Sequence, residues 1–117
     1  MHSAPILINQ IRLVIGALKE EGILDDTILV FTSDHGEMLF DHGMVGKRTF
    51  YENSAHIPLI FSGNPVSELR GKVDDRIACL EDIMPTLLEL CKIEIPSSVE
   101  GQSLFEKERR DFYMENQ

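Results

Sequence analysis

The 117 residues fit one folded domain, and a composition of 43% hydrophobic and 26% charged residues excludes a disordered polymer. The 20 acidic side chains outnumber the 11 basic ones, so the formal net charge of −9 disfavours nucleic acid and anionic membrane surfaces as partners. No apolar run approaches the roughly 18 residues of a membrane helix and no secretion signal is recognisable, so the sequence predicts neither a membrane span nor a cellular compartment.

The first predicted element is an amphipathic helix between Ile6 and Leu18. Apolar residues at steps of three and four fall on one stripe of this helix: Leu7, Ile11, Val14, Ile15 and Leu18. We expect Gly22 to end the helix in a left-handed C-cap, because glycine adopts positive φ without steric cost.

A continuous apolar run from Thr27 to Phe31 predicts a central parallel strand, buried on both faces, because it is too short for a helix and rich in β-formers. Helix, turn and buried strand form half of a βαβ repeat, which indicates an α/β fold. Further strands are predicted at 57–61, beginning at or near Pro58, and at 76–80.

A second helix is predicted from about 83 to 92, with Asp82 as its N-cap and Pro85 in its first turn. The two cysteines, Cys79 and Cys91, lack the spacing of a zinc or redox motif. Buried free thiols are therefore favoured over a disulfide.

Residues that can carry chemistry follow the first strand. In open α/β sheets, ligands bind beyond the carboxyl ends of the strands, and Asp34 and His35 lie at that edge. A carboxylate and an imidazole can bind one cation together, although a hydrogen-bonded loop pair is the simpler interpretation of two adjacent residues.

Two further residues belong to an aperiodic stretch from Gly36 to Tyr51, which is too long for an ordinary connection. Lys47 could carry an ammonium group back to the same pocket to meet an anion, or could be an ordinary surface lysine. His42 could be a general acid, a hydrogen-bonding partner of another site residue, or an exposed loop histidine. Spacing alone does not choose among these alternatives.

Taken together, these residues resemble the C-terminal signature of the type I sulfatases, a family of the alkaline-phosphatase superfamily. The resemblance is carried by Thr32–Glu37, Asp41-His42-Gly43, Lys47, Ile57–Ile60, Asp82–Leu88 and Gly101–Leu104. It implies an α/β fold that is a fragment of an alkaline-phosphatase-like three-layer sandwich with a mostly parallel sheet. Residues 1–105 would be the C-terminal portion of the catalytic domain, and residues 106–117 a tail or a truncated next strand.

The resemblance also implies roles for these residues. In the family, the residues that match Asp34 and His35 complete a divalent-cation site, usually for calcium, whose other two ligands are acidic residues near the N-terminus of the domain. Manganese, magnesium and zinc are the alternatives. The matching Lys47 contacts the sulfate oxygens, and His42 is kept as a second candidate catalytic residue. Histidine at position 35 resembles the iduronate-sulfatase, choline-sulfatase and phosphonate-monoester-hydrolase branches.

The family nucleophile is a formylglycine made from the first residue of a Cys/Ser-x-Pro-x-Arg motif. Neither Cys79 nor Cys91 has this context, and Ser3-Ala4-Pro5 has Leu7 at the arginine position. We therefore expect the formylglycine outside this chain, on an N-terminal segment.

The resemblance thus predicts a sulfuric ester hydrolase that acts on a sulfate ester and is inactive as the isolated chain. The alternatives are a phosphonate or phosphodiester hydrolase of the same superfamily, or a non-catalytic α/β module. A shortened α/β piece is also expected to expose sheet edges and apolar faces, through which copies would associate into a homo-oligomer.

Overall fold

The computed structural model describes residues 3–47 and 49–108. In chain order these residues form α1 (Ser3–Glu20), β1 (Leu29–Thr32), α2 (Glu52–Ala55), β2 (Leu59–Ser62) and α3 (Ile83–Leu90). Single 3-10 turns lie at Leu24–Asp26, Asp41–Gly43, Asn64–Leu69 and Leu80–Asp82. In this described part, β1 pairs with β2 in a two-stranded sheet, and no helix has the length and apolar character needed to cross a bilayer. The predicted tail or truncated strand at 106–117 lies mostly outside these residues.

The chain divides into two compact units. The first unit consists of Met1–Phe31 and Leu59–Lys72, and the second of Thr32–Pro58 and Val73–Gln117. The predicted single domain is therefore two contact units, and the candidate site residues all lie in the second.

In the first unit, α1 confirms the predicted amphipathic helix and begins three residues earlier than Ile6. Its end is a Schellman motif. The N–H of Gly22 donates to the carbonyl of Lys19 at 3.1 Å, and the N–H of Ile23 donates to that of Leu18 at 3.0 Å. Gly22 has φ = 71°, so the predicted left-handed C-cap is confirmed.

The two strands of this unit match the first two predicted strands, with bounds shifted by one or two residues. All four residues of β1 are half-buried and none is fully buried. The strand is thus less buried than predicted, since burial on both faces was expected. After β2 the chain passes close to the segment before β1, where a Cβ on Gly63 would lie 2.8 Å from the carbonyl oxygen of Thr27. Asn64 Nδ2 also donates to the carbonyl of Asp25 at 2.7 Å, which fixes this connection.

In the second unit, the third strand predicted at 76–80 is wrong. The guanidinium of Arg76 forms an ion pair with Asp74 at 2.6 Å and also donates to the carbonyls of Leu104 and Glu106 at 2.9 and 3.0 Å. Residues 76–79 are irregular, and Leu80 begins the 3-10 turn that precedes α3. The bonds of Arg76 connect the start of this segment to residues 104 and 106.

The predicted second helix forms as α3 but is shorter, and Asp82 occupies the predicted N-cap position without making a side-chain cap hydrogen bond. Asp82 belongs to the 3-10 turn before α3, is only 3% exposed, and makes no side-chain cap to α3. Its carboxylate instead accepts the backbone N–H groups of Cys79 and Gln102, both at 2.8 Å. Asp82 therefore joins two segments that are 20 residues apart in the chain.

The interior of this unit is mostly polar. Thr86 Oγ1 donates to the carbonyl of Asp82 at 2.6 Å and accepts the N–H of Leu104 at 3.0 Å. A Cβ on Gly101 would lie only 2.0 Å from the carbonyl oxygen of Glu81, so only glycine fits this approach. Among the described residues of this unit, the buried apolar side chains are those of Met38 and Pro85. Hydrogen bonds to backbone groups therefore define the interior of this unit.

The two cysteines form no disulfide, as predicted, but their predicted burial is wrong. Cys79 is half-buried in the segment before α3, and Cys91 is exposed directly after that helix.

Lys92 ends α3 in a second Schellman arrangement, with its N–H donating to the carbonyl of Glu89 at 2.9 Å and φ = 57°. A side chain at positive φ is strained, whereas glycine is not.

We expect Lys92→Gly to raise the free energy of unfolding by about 0.5–1 kcal/mol, measured by urea denaturation. Glu89→Gly, inside the same helix, is the matched control and should lower it by about 1 kcal/mol. A loss of stability in both variants would contradict the strain at Lys92.

Candidate metal and oxyanion site

The candidate site begins two residues after β1, in a tight polar turn. Ser33 Oγ donates to the carbonyl of His35 at 2.7 Å, and the N–H of His35 donates to Asp34 Oδ1 at 3.0 Å. These bonds use one carboxylate oxygen of Asp34 and leave Oδ2 to face the ring of His35, 3.2 Å from Nε2.

The hydrogen bonds of His35 decide which ring nitrogen carries the proton. Nδ1 lies 2.7 Å from the carbonyl oxygen of Gly36, and a carbonyl can only accept, so Nδ1 is the protonated nitrogen. Nε2 is then left with a lone pair. Lys47 Nζ lies 2.7 Å from Nε2, and an ammonium group can only donate, which agrees with this tautomer. A neutral imidazole with its lone pair on Nε2 is also the form that can bind a metal through this nitrogen.

The structure thus brings together three of the four candidate residues, Asp34, His35 and Lys47. Asp34 Oδ2 and the lone pair of His35 Nε2 are both acceptors, and a cation beside them would stabilise their 3.2 Å approach. The ammonium of Lys47 supplies positive charge at this point. The roles of the three residues in metal and sulfate binding remain predictions.

The carboxylate of Asp34 is held in its ionised form. Desolvation alone would raise its pKa. The hydrogen bond from the His35 backbone, the electrostatic interaction with the His35 ring and, to a smaller degree, the charge of Lys47 act in the opposite direction and prevail, so the pKa of Asp34 lies below its ordinary value. Asp34 therefore stays negatively charged from neutral pH down into the acidic range, as a ligand for a hard cation must be.

The aperiodic stretch after Gly36 folds back onto the site residues. The N–H of Gly36 donates to the carbonyl of Ser54 at 2.8 Å, and a Cβ on Gly36 would lie 1.9 Å from the carbonyl oxygen of Asn53. Glycine at position 36 therefore lets the turn that carries Asp34 and His35 pack directly against the segment at 53–54.

His42 is placed differently from the other three candidates. Its ring stacks on Tyr51 with centroids 4.2 Å apart, and Nε2 lies 4.0 Å from Asp41 Oδ2. Within residues 3–47 and 49–108, no contact joins His42 to Asp34, His35 or Lys47. Its catalytic role stays a prediction, and the alternative of a loop histidine agrees with these contacts.

The donor set of the site fits part of a divalent-cation site. One carboxylate oxygen and one imidazole nitrogen suit calcium, manganese, magnesium or zinc to differing degrees. The described part of the chain contains no cluster of three or more His, Cys, Asp or Glu side chains that could hold a metal ion. Asp34 and His35 are therefore predicted to provide two ligands, and any complete site needs further ligands from elsewhere.

Comparison with known proteins places this arrangement in a wider family. Residues 9–93 match the family model described as Sulfatase. An arylsulfatase of Clostridium perfringens (strain 13 / Type A) is 47% identical over 98 residues, which are 82% of this chain and 20% of that protein.

Two solved structures share the fold. The first is BT4656 in complex with its substrate D-glucosamine-2-N,6-O-disulfate, with a TM-score of 0.74 and 36% identity over 82% of this chain and 19% of that chain. The second is a phosphonate monoester hydrolase from Silicibacter pomeroyi, with a TM-score of 0.70 and 43% identity over the same shares of the two chains.

These likenesses confirm that the chain has the alkaline-phosphatase-like α/β fold. The chain belongs to the sulfatase family, as the motifs around Asp34 and Lys47 predict. It spans about a fifth of the length of the relatives that it matches.

Sequence reasoning assigned no role to Glu37, although it stands inside the same motif. In the structure Glu37 Oε1 accepts the backbone N–H of Gly46, the residue before Lys47, at 2.5 Å. Nothing in the sequence pattern pairs positions 37 and 46, because the contact depends on how the loop closes.

Asp34→Ala should weaken binding of Ca²⁺ or Mn²⁺ to this chain by more than about tenfold, because it removes the carboxylate ligand. Titration calorimetry of wild type and variant measures the difference. Asp75→Ala is the matched control, since it removes the same charge from an exposed position in the same unit and should leave the affinity unchanged. Equal affinities of Asp34→Ala and wild type would favour the non-catalytic α/β module.

Proposed function

We propose that this chain is part of a sulfuric ester hydrolase and supplies two metal ligands, Asp34 and His35, together with a sulfate-binding cation, Lys47. The observation that carries the proposal is the grouping of one ionised carboxylate, one imidazole lone pair and one ammonium within 3.2 Å contacts. Membership of the sulfatase family supports the choice of a sulfate ester as the substrate.

Each of the three side chains has a separate task in this proposal. Asp34 and His35 orient a divalent cation, proposed to be calcium, which would neutralise charge that develops on the sulfate oxygens. Lys47 donates hydrogen bonds to a sulfate oxygen as a charge-assisted contact. The lone pair of His35 Nε2 can serve either the cation or Lys47, so binding of the cation frees the ammonium for the substrate.

The nucleophile is proposed to come from polypeptide outside this sequence. The 117 residues contain no Cys/Ser-x-Pro-x-Arg motif from which a formylglycine could be made. The site residues of this chain bind and orient the ester but provide no group that attacks sulfur.

A phosphonate or phosphodiester is the second candidate substrate. The likeness to the Silicibacter pomeroyi phosphonate monoester hydrolase, at 43% identity, favours it. Sulfuryl and phosphonyl groups are both tetrahedral and present oxygens of similar geometry. Lys47 and a divalent cation would recognise either one.

We expect the purified chain to show no turnover of 4-nitrophenyl sulfate or of an aryl phosphonate, with or without Ca²⁺ or Mn²⁺. The reason is the missing nucleophile motif. Release of 4-nitrophenol, followed by its absorbance, measures this. Hydrolysis that depends on the added cation would contradict the proposal that the nucleophile lies outside this chain. If this hydrolysis also disappears in Lys47→Ala, the proposed role of Lys47 in binding the substrate would still hold.

We also propose that copies of the isolated chain associate through the apolar surface of α1. This helix exposes several large hydrophobic side chains, and surfaces of this kind favour association. The most exposed of them are Ile6 (64%), Leu13 (60%), Ile8 (59%) and Val14 (58%).

Static light scattering over a concentration series should therefore give a mass above 13.3 kDa that rises with concentration. Leu13→Lys should shift the series towards the monomer, because it places a charge on the apolar surface. Lys19→Leu, on the same helix, is the opposite control and should not reduce association. A constant monomer mass for the wild type would contradict the proposal.

A further inference from the structure

Glu37 makes a short contact with the backbone next to Lys47. Its Oε1 accepts the N–H of Gly46 at 2.5 Å, across nine residues of chain. A hydrogen bond from a backbone amide to an ionised carboxylate is stronger than one between neutral groups. Glu37 thus fixes the residue from which the Lys47 side chain begins its path towards the site.

Gly46 is held from both sides by the same short segment. While Glu37 accepts its N–H, the carbonyl of Gly46 accepts the N–H of Met38 at 2.9 Å. Met38 is completely buried, and its Sδ accepts a hydrogen bond from Thr49 Oγ1 at 3.1 Å. Glu37 and Met38, which bind Gly46, therefore belong to a segment that is anchored in the interior of the second unit.

The backbone conformation of Gly46 needs such hydrogen bonds to stay fixed. Its φ of +93° is accessible to glycine, which gains much conformational freedom when it is not held. Lysine adds the rotamer freedom of a long, flexible side chain. A mobile backbone at Gly46 would thus spread the ammonium of Lys47 over many positions.

The position of the ammonium is nevertheless defined. Lys47 Nζ lies 2.7 Å from His35 Nε2, which a loose backbone at position 46 would not maintain. We propose that Glu37 is a positioning residue for Lys47, acting through its hydrogen bond to the backbone N–H of Gly46. This inference rests on the proposed function, in which Lys47 binds the tetrahedral oxyanion of the substrate.

A role of Glu37 as a third metal ligand is the competing interpretation. The described residues include no metal-holding cluster of three acidic, histidine or cysteine side chains, so Glu37 does not join Asp34 and His35 in one. Its bonded oxygen is directed to the amide of Gly46. The geometry therefore favours positioning over ligation.

The test compares Glu37→Ala, Glu37→Asp and Glu37→Gln in the full chain. Alanine removes the acceptor, aspartate keeps the charge but is one methylene too short, and glutamine keeps an acceptor oxygen of the same reach. Glu52→Ala is the matched control, because Glu52 is an exposed glutamate of the same unit that contacts His56 instead, at 2.8 Å.

The first readout is the ¹⁵N resonance of His35 Nε2, which senses the hydrogen bond from Lys47 and is calibrated by its change in Lys47→Met. Glu37→Ala and Glu37→Asp should move this resonance at least halfway to the Lys47→Met value, while Glu37→Gln and Glu52→Ala should leave it in place. A role in folding alone would not produce this pattern. An unchanged His35 resonance in Glu37→Ala and Glu37→Asp, with Gly46 amide exchange accelerated, would overturn the proposal.

The second readout is the binding of inorganic sulfate in the presence of Ca²⁺, followed by calorimetry. Glu37→Ala should bind sulfate three- to tenfold more weakly and Glu37→Gln within twofold of wild type, while Ca²⁺ affinity does not fall in either. A fall in Ca²⁺ affinity like that of Asp34→Ala would identify Glu37 as a ligand and overturn the proposal. Absence of sulfate binding in wild type would count against the proposed function, and the His35 resonance would still decide the role of Glu37.

Discussion

The hydrogen bond from His35 Nδ1 to the carbonyl of Gly36 is the interaction on which the site depends. It places the ring proton on Nδ1 and leaves the lone pair of Nε2 pointing at Asp34 Oδ2 and Lys47 Nζ. If the proton were on Nε2, the ring could neither accept from Lys47 nor bind a cation there. Gly36 has a second task, because the absence of a Cβ lets this turn approach the carbonyl of Asn53.

The scaffold around the site is held mainly by polar bonds. In the second unit, Asp82 and Thr86 connect α3 to the segment at 102–104 through backbone N–H groups, and Gly101 allows the close approach. Buried hydrogen bonds of this kind specify one arrangement, because any alternative leaves a buried polar group without a partner. The large apolar side chains are meanwhile mostly exposed, which fits a chain that spans about a fifth of its relatives' length.

The strongly acidic composition does not conflict with binding of an anionic ester. The net charge of −9 describes the whole chain, whereas the substrate would meet a cation held by Asp34 and His35 and the ammonium of Lys47. A bound divalent ion is usually the largest charge in its site and outweighs more distant carboxylates that water and salt screen. Local arrangement, more than total charge, thus governs which ligand is attracted.

The sequence by itself determined the features that depend on neighbouring residues. The periodicity of α1 and the left-handed turn at Gly22 follow from local backbone geometry, and the two strands follow from short apolar runs. The motif around Asp34 and Lys47 was sufficient to indicate the sulfatase family. The missing third strand could not be predicted, because Arg76 and Asp82 bind partners as far as 30 residues away.

The tertiary structure alone decided the chemistry of the site. The tautomer of His35 depends on the carbonyl of Gly36. The hydrogen bond between Glu37 and Gly46 depends on a loop that brings together two residues nine positions apart in the chain. The separation of His42 from the other candidates depends on its stacking against Tyr51. A sequence pattern records which side chains are present at a given spacing, but hydrogen bonds form only when folding brings a donor and an acceptor within about 3 Å of each other.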